Sequence, residues 1–276
     1  MCGILGVCRR RPTYNGSITD KEYDAAEKNY FTRMLLQSVQ RGSDSTGMFM
    51  VNDKNTTEFD RTQNIDVFML KNHVDSKTFV DDPLYKELLD KVSCQTNFIV
   101  GHTRQATSGD YADNKNNHPF ICGRIIGVHN GIIQNWKQAA EDNNITLSSE
   151  CDSEIIFELI NHFMETANDL VKSIQLMAEQ LKGWMACAFV DTMNPKELIL
   201  FRRDAPLYIK TTKASNVLAF ASDDTYIKNA FSMDCKGPFK VYEATNGLLE
   251  NNSGVIIKAF GEYQWLEKSK SFSVSI

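Results

Sequence analysis

Eleven short apolar segments rich in β-branched and aromatic residues punctuate the sequence: Gly3 to Cys8, Thr46 to Val51, Val67 to Leu70, Phe98 to His102, Ile121 to Val128, Trp184 to Asp191, Leu198 to Arg202, Leu207 to Ile209, Val217 to Ala221, Phe239 to Tyr242 and Val255 to Ile257. Each reads as a strand, and together they exclude a helical bundle. Helical periodicity is confined to Asp20 to Gln40, with Tyr30, Met34 and Val39 recurring, to Ile133 to Glu141, and to two stretches between Asp152 and Leu181. In the first of those two, Ile155, Ile156, Leu159 and Phe163 share a face. Strands come in consecutive runs separated by pairs of helices, which predicts a layered α+β fold and not the strict βαβ alternation of a parallel sheet. No repeat, low-complexity tract or Pro/Gly/Ser-rich linker interrupts the chain, so one domain over 2–276 is expected.

With 276 residues, 42% hydrophobic and 24% charged, the chain has the composition and length of an ordinary globular protein with a sizeable core. Thirty basic against 35 acidic side chains give a net charge of -5, which disfavours nucleic acid or an anionic membrane as partner. No apolar run approaches the roughly 18 residues of a membrane-spanning helix. The apolar stretch Cys2 to Cys8 precedes the basic cluster Arg9, Arg10, Arg11, the reverse of a secretory signal, so a cytoplasmic protein is expected. Seven cysteines (Cys2, Cys8, Cys94, Cys122, Cys151, Cys187, Cys235) form an odd set without a C-x-x-C pair, which fits neither a disulfide framework nor a zinc site. His73, His102, His118, His129 and His162 show no metal-ligand spacing, and no phosphate-cradling glycine loop follows a strand. No metal and no cofactor are expected.

The chemistry-bearing residues fall at turns between these elements. Removal of an initiator Met before a small second residue would leave Cys2 with a thiol and a free α-amine, a nucleophile and its base on one residue. A terminal cysteine can equally be a chance occurrence at a frayed end. Gly3-Ile4-Leu5-Gly6-Val7, however, runs straight into a strand, so this terminus is expected to be built into a sheet. Arg41-Gly42-Ser43-Asp44-Ser45-Thr46-Gly47 follows the first helix and suits a C-cap at Gly42 followed by a turn. Arg104, in His102-Thr103-Arg104-Gln105-Ala106-Thr107-Ser108-Gly109, can grip a carboxylate bidentately. In Val128-His129-Asn130-Gly131 an amide side chain and an unhindered backbone N–H can both donate to a developing oxyanion. Asp152-Ser153-Glu154 opens a helix, with Asp152 in the place of an N-cap.

Taken in order, Cys2-Gly3-Ile4, Arg41-Gly42-x-Asp44-Ser45-x-Gly47, His102-Thr103-Arg104-x-Ala106-Thr107, His129-Asn130-Gly131 and Asp152-x-Glu154 resemble the class II glutamine amidotransferase domain, an N-terminal-nucleophile hydrolase. The likeness is greatest to the glutaminase half of glucosamine-6-phosphate synthase and extends through Gly183-Trp184-Met185-Ala186 and Ala221-Ser222-Asp223, over roughly residues 2 to 245. The resemblance implies a four-layer αββα sandwich of antiparallel sheets. It also implies that Cys2 attacks the side-chain carboxamide of L-glutamine, with its own α-amine as base, through a glutamyl thioester. By the same resemblance Asn130 and Gly131 form the oxyanion hole, Arg104 assisted by Thr107 binds the α-carboxylate, Asp152 binds the α-ammonium, and Arg41 and Gly42 support the nucleophile's terminus.

Two positions depart from the family pattern. Gln105 stands where relatives usually place tryptophan, and Ser108 where they often have histidine; both lie on the wall that shapes the glutamine pocket. The residues after 245 are too few for a synthase domain, so the expected function is a glutaminase supplying ammonia to a separate acceptor enzyme. The alternatives are an N-terminal-nucleophile amidase acting on another γ-glutamyl or amide substrate, against which Arg104 and Asp152 argue, and a non-catalytic module, against which Cys2, Asn130 and Gly131 argue.

Overall fold

Alternation along the strands decides the layers. In β1 (Gly3–Arg9) Ile4 and Cys8 face one way and Leu5 and Val7 the other, and all four are buried, so the strand is covered on both faces. The structure, a computed structural model, describes residues 2–9, 19–53, 65–212, 217–232, 241–242, 247–259 and 270–273. After β1 come α1 (Asp20–Gln37), β2 (Ser45–Asp53), β3 (Ile65–Asn72), α2 (Ser76–Asp81), α3 (Pro83–Asp90) and β4 (Thr96–Arg104). A central block follows: β5 (Phe120–Cys122), β6 (Ile125–Ile133), α4 (Trp136–Asp142), α5 (Glu154–Ala167), α6 (Leu170–Gln180), β7 (Gly183–Asp191) and β8 (Glu197–Arg203). The remainder is β9 (Tyr208–Thr212), β10 (Val217–Ala221), α7 (Asp224–Ser232), β11 (Val241–Tyr242), β12 (Ser253–Lys258) and β13 (Lys270–Ser273).

Two antiparallel sheets result, ordered β11-β9-β10-β1-β4-β2-β3 and β13-β12-β8-β7-β6-β5. Their facing sides share one core, in which Ile4, Phe49, Val100 and Phe220 of the first sheet meet Val128, Ala188 and Leu200 of the second. The outer side of the first sheet (Leu5, Met48, Ile99) packs on Phe31 and Met34 of α1 and Ile227 and Phe231 of α7. The outer side of the second (Ile125, Cys187, Phe201) packs on Ile156, Leu159 and Ile160 of α5 and Ile174 and Met177 of α6. This is the αββα order of layers. Each of these large side chains contributes about 1.5–3 kcal/mol by leaving water.

Helix α1 begins where expected, with Thr19 and Glu22 forming a reciprocal capping box, and gives way after Gln37 to a single 3₁₀ turn over Ser38–Gln40. Four expectations need correction. The apolar run read as one strand, Ile121 to Val128, is a hairpin of β5 and β6 turning at Gly123, whose φ of 56° suits glycine. The helix expected from Ile133 starts at Trp136, because the Ile133 N–H is drawn to Asp152 and stays in β6. Asp152 does not cap α5: the N-cap is Ser153, which makes no side-chain capping bond. Gly42 is not a left-handed C-cap, since α1 has already ended. Helices α2, α3 and α7 and strand β13 were not expected from the sequence. Arg10, Arg11, Cys235 and the first half of the expected strand Phe239 to Tyr242 lie outside the described residues. Among the described residues, no helix is long and apolar enough to cross a membrane.

Candidate active site

Strand β1 lies between β10 and β4, with Gly3 opposite Thr103, so Cys2 emerges where three strand ends converge. Arg41 holds it there: its Nε–H donates to the Cys2 carbonyl at 3.1 Å, one Nη1–H donates to the Ser222 carbonyl at 3.4 Å, and the guanidinium stands 3.9 Å from Asp223. The Cys2 thiol points at the Gln105 carbonyl, 3.6 Å away. Although the residue is partly open to solvent, burial of the sulfur within this crowded corner pushes its pKa up to about 11. A thiol so placed is protonated at rest and needs a base before it can attack.

Asn130 and Gly131 come from the opposing sheet. Strand β5 covers β6 only as far as Gly127, so beyond that point one edge of β6 has no strand neighbour among the described residues. The Ile133 N–H on this edge donates to Asp152 Oδ2 at 2.7 Å, and the His129 carbonyl on the same edge contacts His102 Nε2 at 2.9 Å. Residues two apart in a strand direct their N–H groups to the same side, so the Gly131 N–H also faces this open edge. Asn130 is fully buried and its Nδ2 donates to Ser222 Oγ at 3.4 Å. No side chain fits at 131: a Cβ there would lie 2.0 Å from the Trp184 carbonyl oxygen and 2.5 Å from His129 Nε2.

The third part is the loop after β4. Arg104 is buried; its Nη1 donates to Asn117 Oδ1 at 2.8 Å, and its Nη2 donates to the carbonyls of Ser108 and Gly109. Both Nη groups of the guanidinium are thereby engaged by the protein. Ser108 Oγ donates to Asp152 Oδ1 at 3.1 Å and accepts from the Asp152 N–H at 3.3 Å, so Ser108 joins the arginine to the aspartate. Asp44 Oδ2 pins the loop from the other side, accepting from the Ala106 N–H at 2.8 Å and from Gln105 Nε2 at 3.0 Å. That approach requires Gly42, where a Cβ would lie 2.4 Å from the Arg104 carbonyl carbon. Thr107 lies exposed on the same loop. The segment carrying Asp152 is tied down by buried Glu154, whose carboxylate accepts from the N–H and hydroxyl groups of Ser148 and Ser149.

Beneath these groups the His102 and His118 rings lie against each other, centroids 3.9 Å apart and planes tilted by 31°, and His129 Nδ1 contacts Ser153 Oγ at 2.8 Å. Burial lowers His102 to about 3 and His129 to about 4, and drives His118 well below the ordinary imidazole range. All three rings are neutral. Among the described residues, no group of three or more His, Cys, Asp or Glu side chains is arranged to hold a metal ion.

The structure thus brings Cys2, Arg41, Gly42, Arg104, Asn130, Gly131 and Asp152 to one corner, with Thr107 at its rim. Sequence reasoning gave no role to Asn117, Ser222 or the Ser108–Asp152 link. Ser222 sits in the Ala221-Ser222-Asp223 turn, and its neighbourhood to Asn130, 92 positions away, follows only from the sheet order.

Residues 102–229 match the family described as glutamine amidotransferase domain. Among curated proteins the chain is similar to glutamine–fructose-6-phosphate aminotransferase (isomerizing) of Acinetobacter baylyi, 34% identical over 123 residues, 44% of this chain and 20% of that protein. It is also similar to the same-named protein of Corynebacterium diphtheriae, 29% identical over 247 residues, 85% of this chain and 35% of that protein. The chain therefore spans about a third of that relative's length. Two solved structures share the fold. One is the glutamine phosphoribosylpyrophosphate amidotransferase from B. subtilis complexed with ADP and GMP, with TM-score 0.65 and 17% identity, covering 100% of this chain and 50% of that one. The other is described as the allosteric regulatory enzyme of purine biosynthesis, with TM-score 0.67 and 18% identity, covering 100% and 49%.

Proposed function

We propose that this chain, which carries a class II glutamine amidotransferase domain, hydrolyses the side-chain amide of L-glutamine with Cys2 as nucleophile and passes the ammonia to an acceptor enzyme. The observation that carries the reading is that Ser222, bonded on both sides to Ile4 beside Cys2, also accepts from Asn130, which brings the Cys2 end of β1 to the part of β6 that carries Asn130 and Gly131. With Met1 removed, the α-amine of Cys2 takes the thiol proton, and sulfur adds to the carboxamide carbon. The resulting oxyanion accepts from Asn130 Nδ2 and the Gly131 N–H, donors typically worth ~3 kcal/mol each in the transition state. Collapse breaks the C–N bond, the α-ammonium returns its proton to the leaving nitrogen, and ammonia departs. Water, deprotonated by the same amine, then adds to the thioester carbon, the C–S bond breaks, and the α-ammonium returns its proton to the leaving thiolate as glutamate is freed.

Recognition of a free amino acid fits the other half of the site. The Arg104 guanidinium suits an α-carboxylate, Asp152 suits an α-ammonium, and Thr107 at the rim assists the carboxylate. In place of the bulky residue common in relatives, Gln105 ties its side chain to Asp44 and sets its carbonyl against the thiol. We expect slow hydrolysis by the chain alone, accelerated when an acceptor enzyme closes the pocket.

Intact-mass measurement and labelling test the reading. An active preparation should begin at Cys2, and 6-diazo-5-oxo-norleucine should alkylate Cys2 and spare buried Cys122 and Cys187. An active enzyme retaining Met1, or label on either buried thiol, refutes the mechanism. Amide-labelled nitrogen appearing solely as free ammonia, whatever subunit from the native cell is added, refutes the acceptor and leaves a simple glutaminase.

A further inference from the structure

Ser222 stands immediately after β10, almost fully buried, and touches three parts of the site at once. Its Oγ accepts from the Ile4 N–H at 3.0 Å, its own N–H donates to the Ile4 carbonyl at 2.8 Å, and its carbonyl accepts from Arg41 at 3.4 Å. The same Oγ accepts from Asn130 Nδ2 at 3.4 Å. Asn130 Oδ1, also buried, has no hydrogen-bond partner among the described residues. Among the described residues, then, the contact to Ser222 is what fixes the rotation of the Asn130 amide about its last torsion, a torsion that is intrinsically broad.

We infer that Ser222 is the positioning residue that aims the Asn130 amide at the oxyanion and couples it to the strand bearing Cys2. This rests on the reading of Cys2 and Asn130 given above and adds to it the residue that registers one against the other. One amide hydrogen goes to Ser222 Oγ, and the plane thus set directs the second hydrogen into the corner between the sheets. A 3.4 Å contact is at the long end of hydrogen bonding, and a donor that completes its geometry as charge develops strengthens the transition state more than the ground state. Because Ser222 is also bonded on both sides to Ile4, two residues from Cys2, the amide is referenced to the nucleophile's own strand and not to the distant end of β6.

The test is a double-mutant cycle on the full chain with Ser222→Ala, Asn130→Ala and the pair, read by glutamine hydrolysis. Ser222→Ala should lower kcat by about 10-fold, in line with the sensitivity of positioned groups to small displacements, and leave KM within about two-fold. In the Asn130→Ala background the same substitution should cost less than about two-fold, because the amide it aims is gone. Alkylation of Cys2 by iodoacetamide, which needs no oxyanion hole, should proceed at the wild-type rate. If Ser222→Ala fails to fold, Ser222→Cys keeps the volume with a poorer hydrogen-bonding atom and should show the same kcat loss and non-additivity. An equal loss in both backgrounds, a change confined to KM, or a matching fall in iodoacetamide reactivity overturns the inference. A wild-type chain that hydrolyses no glutamine overturns the reading of the site itself, and this inference with it. Active wild type with an additive cycle overturns the inference alone.

Discussion

Cys2 at the head of β1 and Asn130 and Gly131 within β6 are placed by strands inside the sandwich, whereas the side chains of Arg104, at the end of β4, and of Ser108 and Asp152 are held by hydrogen bonds around the loop that follows. On the first side, β1 is flanked by β10 and β4, and β6 by β7, so the sheets fix the backbone and one side-chain contact, from Ser222, remains to be set. On the second side, each group depends on its neighbour: Arg104 on Asn117 and on the carbonyls of Ser108 and Gly109, Ser108 on Asp152, and the loop as a whole on Asp44. The difference suits the division of labour proposed here. Transition-state donors gain from rigidity, since misplacement is charged directly to kcat, while a recognition loop can yield as substrate enters.

The largest expected effect loosens the strand-built side. His102 and His129 have pKa values of about 3 and 4 in the fold, lowered by burial from an unfolded value of 6.5, and His118 is shifted in the same direction. As pH falls below 6.5 the unfolded chain takes up protons that the folded chain refuses, so stability drops until the folded values are reached. Between pH 7 and pH 5 the loss should be ~4 kcal/mol for His102 and His129 together, with His118 adding to it. Urea unfolding at the two pH values measures it. An unchanged midpoint would mean that these rings take up protons within the fold, and the rigid side would not be as dry as its burial indicates.

Asn130→Ala comes next. It removes a donor needed in the transition state, so kcat for glutamine should fall about 100-fold, ~3 kcal/mol, with KM little changed. A rise in KM at constant kcat would place Asn130 in recognition and erase the distinction between the two sides.

Legibility in the sequence divides in a similar way. The strands that build the sheets announce themselves by apolar content, and the five motifs follow one another in the order of the family they resemble, so Cys2, Arg104 and Asn130 could be singled out. The continuous apolar run through Ile121 and Val128 hid the Gly123 turn, because unbroken hydrophobicity carries no signal for where a hairpin folds back. Helix α7 has Tyr226, Ile227, Ala230 and Phe231 on one face, yet its nine residues fall below the window in which helical periodicity stands out. The polar links are less legible still. Ser108 to Asp152 and Ser222 to Asn130 join residues 44 and 92 positions apart, and neither periodicity nor spacing marks such a contact in advance.

A third experiment probes the loop-built side at its charge. Asp152→Asn keeps an oxygen for the Ile133 N–H and a similar shape while removing the carboxylate proposed to meet the α-ammonium. KM for glutamine should rise about 30-fold, ~2 kcal/mol, with kcat within a few-fold. The variant should also lose its preference for glutamine over an analogue lacking the α-amine. Retention of that preference would show that Asp152 holds β6 and does not read substrate.

The smallest effect belongs to Ser108, and it sharpens the comparison because it sets one serine against another. Ser222 and Ser108 are both small hydroxyl residues one contact away from the groups proposed to act, the first bound to Asn130 and the second to Asp152. Ser108→Ala removes one acceptor bond from the Asp152 N–H and one donor bond to its carboxylate, while the backbone carbonyl that receives Arg104 remains. Because the Asp152 carboxylate keeps its bond from the Ile133 N–H, only part of the worth of these two bonds falls on substrate binding, so KM should rise about 5-fold, ~1 kcal/mol, with kcat unchanged, and Ser108→Thr should restore it. Ser222→Ala should do the reverse, moving kcat and sparing KM. Steady-state glutaminase kinetics on the two alanine variants side by side decide the matter. If both serines move the same constant, the strand-built and loop-built halves act as one unit; if they move different constants, the boundary between chemistry and recognition runs between Asn130 and Asp152.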